Sequence, residues 1–291
     1  MFRKHLLFLL AFSLGNVCFS QNQHEYFGAI ILSDSISITC KINISEKDGE
    51  VKGYSLTDLG GEQETRSNIF GEYDKNKKEL SFRETGIVYT KSPISQNDFC
   101  FMNVTIKNFV FGKTTQVKTK FLGLFYDNTK CISGELFFNA IEKVEARLSK
   151  VSKKIEKTNR ISDSIKEKIN PIKIMDSLNM NILRKNQTLS VFTKAKKINL
   201  IIYDGGKQDG DKITIIANGK VILNSYQADK TKRIIPIEIN NNKMSIIIKA
   251  NNEGSISPNT VVVEIDDNSN YIKALSNLKV NETTQIDILK E

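Results

Sequence analysis

Apolar and polar residues alternate in short bursts over most of the chain. Between residues 21 and 140 these bursts are EYFGAIILS, SISITCKINI, EVKGYSL, SNIFGEY, ELSFRET, DFCFMNVTI, TQVKTKFLGLF and CISGELFF, with turn residues at EKDG, YDKNKK, SPISQND and YDNTK. A period of two marks half-buried strands. Eight such strands with close turns predict an antiparallel meander that closes on itself to hide its edges. In DFCFMNVTI the alternation sets Phe99 and Phe101 on one face and Cys100, Met102, Val104 and Ile106 on the other. Either the barrel holds a ligand cavity, or it is a filled core covered from outside by a neighbouring helix or domain.

From residue 141 the period changes. Ile141, Val144, Leu148, Val151, Ile155, Thr158, Ser162, Ile165 and Ile169 fall on a and d positions of a heptad, which predicts one helix of about 45 Å ended or kinked at Pro171. Its stripe requires a partner: the IMDSLNMNIL segment (Ile174 to Leu183), the adjoining β-domain, or a second copy in a homo-oligomer. From residue 186 strand patterns return as TLSVF, INLIIY, KITIIA, KVILNS, RIIPIEI, MSIIIKA, TVVVEI, YIKAL and TQIDIL. Nine short strands in about a hundred residues fit a β-sandwich of the Ig-like or jelly-roll type. Asn218-Gly219 is a hairpin signal, because both residues accept positive φ. The fold class is thus mainly β, divided as a leader (1–20), a barrel (21–140), a helical spacer (141–185) and a sandwich (186–291).

The start, MFRKHLLFLLAFSLGNVCFS, has the basic residues, short apolar run and small residues of a secretory signal peptide. No later stretch is apolar and long enough to span a membrane. The expected location is therefore the periplasm, the outer-membrane surface or the exterior of a bacterial cell. There Cys100 and Cys131, at the openings of two strands, are the expected disulfide, and Cys40 points into a core. The net charge of +9 is not spread evenly: residues 141–200 hold 15 basic and 6 acidic residues, and the segments on either side are near neutral. With no groove-reading motif and an exported chain, that excess points to an anionic envelope surface and not to nucleic acid.

Little in the chain signals catalysis. After the leader His24 is the one histidine, so triads and histidine metal sites lack their central residue. GYSLT (53–57) lacks the second glycine of a nucleophile elbow. Carboxylate chemistry needs only two acids at a suitable separation, and Glu62, Glu64 and Glu84 are the candidates for a hydrolase. Asp58, Glu62, Glu64 and Arg66 in TDLGGEQETRS, together with Glu84, are also the expected ligand-binding rim of the barrel. With no tryptophan in the chain, tyrosine or phenylalanine would have to stack on a sugar. The loop YDGGKQDGD places Asp204, Asp209 and Asp211 together, but its spacing is not that of an EF-hand, since Gly205 and Lys207 stand where acids belong and Ile216 where glutamate belongs. It reads either as a turn or as a calcium site completed by a carboxylate from IDDNSN (Ile265 to Asn270).

The early glycine in YFGAI, the strand-turn-strand IFGEYDKNKKELSFRE and the closing FLGLFYDNTKCISGELFF resemble the calycin barrels, the lipocalin-like and avidin-like meanders. The likeness covers about 120 residues, and Ala29 and Ile30 replace the rest of the lipocalin GxW signature. The whole arrangement is also similar to uncharacterised exported bacterial proteins that end in a segment like NNEGSISPNTVVVEI. The resemblance implies an exported location and no activity; the leader, the missing catalytic histidine and the two β-domains held apart by a basic spacer lead to the expectation of a barrel that binds a small apolar molecule or a glycan without catalysis and without a resident cofactor. The other reading is a structural or adhesive envelope component assembled through its heptad helix.

Overall fold

The computed structural model describes residues 23–33, 36–93, 95–178 and 180–291. The signal peptide expected at 1–20 lies outside them. Eight antiparallel strands, β1 (Gln23–Ser33), β2 (Ile36–Lys47), β3 (Glu50–Thr57), β4 (Thr65–Asp74), β5 (Glu79–Thr90), β6 (Phe101–Ile106), β7 (Gln116–Leu124) and β8 (Gly134–Ala140), form the meander. Pairing of β1 with β8 and of β5 with β6 closes it into a barrel. Each strand sends alternate residues inward: Tyr26 and Ile30, Ile42 and Ile44, Leu80 and Phe82, Met102 and Val104, Leu136 and Phe138 are all buried in one cluster. Phe109, fully buried after β6, packs its ring edge-on to Phe111 at 5.0 Å and faces Tyr26 and Tyr73. The interior is filled with these side chains, one of the two outcomes open to an eight-stranded barrel. Gly28, the glycine of YFGAI, is needed here, because a Cβ would sit 1.9 Å from the Phe137 carbonyl on β8.

The single helix expected up to Pro171 is two, and a third follows it. α1 (Ile141–Glu156) ends at Lys157, α2 (Asp163–Lys168) restarts after Ser162, and α3 (Pro171–Leu178) opens on the proline. The heptad fails where Thr158, Asn159, Ser162 and Asp163 cluster, since such side chains compete with the helix for backbone hydrogen bonds. Pro171 starts a helix and does not kink one, because the first helical position has no hydrogen bond to lose. The break lets the chain turn back, so that α3 packs on α1, which also touches β1 and β8. α1 therefore has packing contacts within the chain, with Val151 of its stripe left 45% exposed. No helix among the described residues is long and apolar enough to cross a membrane.

The remaining strands, β9 (Ile182–Leu183), β10 (Thr188–Thr193), β11 (Lys197–Asp204), β12 (Lys212–Ala217), β13 (Lys220–Gln227), β14 (Arg233–Glu238), β15 (Lys243–Ala250), β16 (Val261–Asp266), β17 (Tyr271–Ser276) and β18 (Thr283–Lys290), make a two-sheet sandwich. One sheet runs β14-β11-β16-β17-β9, and the other runs β13-β12-β15-β18-β10. Asn218 and Gly219, both at positive φ, turn β12 into β13.

The second of these sheets continues into the barrel. β5 is long enough to serve both: Leu80 to Arg83 pair with β6, and Tyr89 and Thr90 pair with Val191 and Ser190 of β10. Irregular pairing with β4 at Arg66/Ser67 and Asn68/Ile69 marks the place where β5 leaves the barrel wall, as bulges re-aim a strand. Val88 and Tyr89 thereby enter the sandwich core beside Leu189, Ile246 and Ile288. Phe101, with Phe99, packs on Ile87 and on Phe192 of β10, so the sandwich covers the outer face of β6.

Candidate functional site

The residues expected at one barrel rim occupy separate places. Asp58 accepts from the Gln63 amide (2.9 Å) and shapes its own loop. Glu62 is exposed and lines a groove with Lys91, Arg184 and Lys243. Glu64 is buried: it receives the Tyr89 hydroxyl (2.9 Å) and the Gly60 amide (2.8 Å), and pairs at 3.5 Å with the equally buried Lys91. Burial draws the Lys91 ammonium below its ordinary value, against the pull of Glu64. Arg66 lies over the Tyr54 ring, 4.1 Å from its centroid, and reaches the Tyr271 carbonyl at 3.4 Å. It therefore bridges the barrel to the sandwich.

Glu84 points into the barrel, where the Ser55 hydroxyl and the Met102 amide donate to it. Burial pushes its carboxyl up, and these two donors oppose the shift. The free Cys40 thiol, also fully enclosed, is pushed up by burial first and by Glu84 second. A carboxyl whose folded value is raised binds its proton more tightly in the folded state. Its contribution to stability is complete below the ordinary carboxylate value near 4 and declines as pH climbs through the raised one. Glu84→Gln keeps an acceptor for Met102 and removes the charge. We expect urea unfolding of this variant to lose less stability than wild type as pH rises above the ordinary carboxylate value.

A groove at the junction of the two halves gathers polar groups that were not singled out from the sequence. It measures about 890 Å³, and its walls include Asn68 and Thr85 of the barrel, Asn97, Tyr126, Thr193, Lys194 and Asn270. Ile87 and Phe192 supply apolar surface beneath them. Asn68 stands two residues from Arg66 on the outward face of β4. Asp267 also borders the groove, but Thr193 Oγ1 (2.6 Å) and the Ser269 and Asn270 amides bind its carboxylate. These donors outweigh burial and hold it below its usual range.

Tyr126 is the projecting member, 66% exposed. It sits in the YDNTK turn, whose backbone is fixed by Phe125 N to Thr129 O (2.9 Å) and by Asp127, which receives the Thr129 amide and hydroxyl at 2.9 and 2.6 Å. The Cys100–Cys131 disulfide, with Cα atoms 6.0 Å apart, closes this turn onto the start of β6. Such a bond fits a protein that matures outside the reducing cytoplasm. A tyrosine opening an otherwise polar turn was the sequence signal for this site. Its neighbours Asn68, Asn97 and Asn270 are surface polar residues with no distinguishing pattern.

The three loop aspartates lie at one end of the sandwich. Asp204 and Asp211 are buried and Asp209 is half-buried. IDDNSN supplies them no carboxylate, since Asp266 and Asp267 bind the amides of their own turn. His24 stacks on Phe111 at 4.9 Å between centroids, beside the barrel. Compared with known family models, curated proteins and solved structures, the chain gives no match.

Proposed function

We propose that the protein is a non-catalytic binding protein of the bacterial envelope or exterior, and that the junction groove takes a glycan-like, neutral polyhydroxylated ligand. The observation that carries this reading is Tyr126, an exposed ring held by a disulfide-closed turn at the wall of a groove lined by amides and hydroxyls together with Lys194, Asp267 and Glu291. A ring face offers apolar contact to the C–H face of a sugar, and its hydroxyl adds a polar handle. Asn68, Asn97 and Asn270 each offer both donor and acceptor atoms. Sites of this kind favour the meeting of two domains and rely on a few placed polar groups. The calycin-like barrel serves here as a packed wall of the site. Exposed Lys153, Lys154, Lys157 and Arg160 of the basic helical segment add a contact to an anionic envelope surface.

Calorimetric titration with a panel of envelope and plant-type oligosaccharides tests the reading. Tyr126→Ala is expected to weaken the best ligand tenfold or more, about 1.4 kcal/mol, with Tyr126→Phe retaining most of the affinity. No binding across the panel, or equal binding by wild type and Tyr126→Ala, overturns it.

A further inference from the structure

The loop between β11 and β12 and the loop between β15 and β16 meet at one end of the sandwich, away from the groove. The three aspartates of the first loop share one arrangement. Each uses one carboxylate oxygen to accept a backbone amide: Asp204 from Gly206 at 2.8 Å, Asp209 from Ile256 at 2.9 Å, and Asp211 from Thr260 at 2.7 Å. The second oxygen of each is buried without a hydrogen-bond partner, and so is Asn259 Oδ1. The Asn259 amide nitrogen is already committed to the Lys212 and Asn252 carbonyls at 3.2 and 3.0 Å, which fixes the side chain. Asp204 is 1% exposed, and Asp211 and Asn259 are fully buried. Four enclosed acceptors without donors are costly in a protein interior.

The nearby cation does not meet that need. Lys230 reaches Asp204 Oδ1 only at 3.8 Å, spends its ammonium on the Asp204 and Gly206 carbonyls, and is half-exposed at the edge of the loop.

We infer that these two loops form a calcium site centred on Asp211, Asp209 and the amide oxygen of Asn259, with Asp204 at its margin. Among the described residues no three acidic, histidine or cysteine side chains converge on one point. The site is accordingly built from two carboxylates with amide, backbone and water oxygens. Calcium accepts that mixture, taking six to eight oxygens in flexible geometry, whereas magnesium demands a tighter octahedron and zinc prefers nitrogen and sulfur. The ion would pin the β11–β12 loop to the β15–β16 loop by neutralising their shared charge.

The test uses the whole mature chain, stripped with chelator and titrated with calcium chloride by calorimetry and by thermal unfolding. Calcium at about 5 mM is expected to raise the melting temperature by about 5 °C, with magnesium giving much less. Asp211→Asn should lose the calcium shift while melting in chelator no lower than wild type, because it removes a buried charge. If that variant does not fold, the half-exposed Asp209→Asn replaces it, with the same loss expected. Absence of both heat and thermal shift in wild type, or a full shift in a folded variant, overturns the site.

Discussion

Lys91→Met is expected to destabilise the protein by about 3–5 kcal/mol, the cost of removing one partner of a buried ion pair. The lysine side chain is 0% exposed and that of Glu64 is 4% exposed. Without the ammonium, Glu64 keeps only the Tyr89 hydroxyl and the Gly60 amide, both neutral donors, for a full buried charge. The Ile182 carbonyl, which accepts from Lys91 at 3.1 Å, also loses its donor. That carbonyl belongs to β9, so the same ammonium ties the β3–β4 loop of the barrel to the strand that enters the sandwich. Adding Glu64→Gln to Lys91→Met should recover more than half of the loss, since the uncompensated charge then disappears. Urea unfolding of the two single variants and the double variant measures this. Equal stability of Lys91→Met and wild type would show that the pair contributes nothing.

Removing the Cys100–Cys131 disulfide with a Cys100→Ser/Cys131→Ser double variant is the second large effect. The bond spans 31 residues, and loop-closure entropy alone puts the loss at about 4 kcal/mol. The consequence extends beyond stability, because the bond holds the turn that carries Tyr126. Ligand affinity at the groove should therefore fall in the double variant even under conditions where circular dichroism shows it folded. A variant that melts where wild type does would contradict the stability claim. A folded variant with undiminished affinity would separate the disulfide from the site.

All strands but the two-residue β9, which falls in the expected helical spacer, were open to reading in order from the pattern alone. Eight alternating bursts became the eight barrel strands and nine became β10 to β18, because period-two alternation records which face of each strand meets a core. Local turn chemistry was equally direct at Asn218-Gly219. The helical segment was less so. The heptad positions continue past Thr158 and Ser162, but the chain breaks there, since the residues between them favour local hydrogen bonding and α3 offers α1 a packing surface. Cys100 and Cys131 were legible as a pair by their places at strand openings.

The candidate sites divide in the same way. The aspartate loop was visible as residues, but the Ile256 and Thr260 amides that bind Asp209 and Asp211 lie about fifty positions away. The expected carboxylate from Ile265 to Asn270 serves its own turn. Glu64 and Glu84 looked like rim acids because their sequence neighbours are polar. Strand register instead turns Glu84 into the barrel, and Lys91 closes Glu64 off. Apart from the tyrosine that opens the YDNTK turn, the groove was not legible, since Asn68, Tyr126, Phe192 and Asn270 come from four separate stretches.

By itself, then, the sequence determined the local quantities: strand periodicity, turn positions, the basic middle segment and the cysteine placement, each set by neighbours a few residues apart. Tertiary structure alone decided that β5 serves two sheets, that the barrel is filled, and that a groove and an anionic loop pair arise between distant segments. Those outcomes depend on side-chain volume, register and burial summed over residues far apart in the chain, and no local pattern encodes such sums.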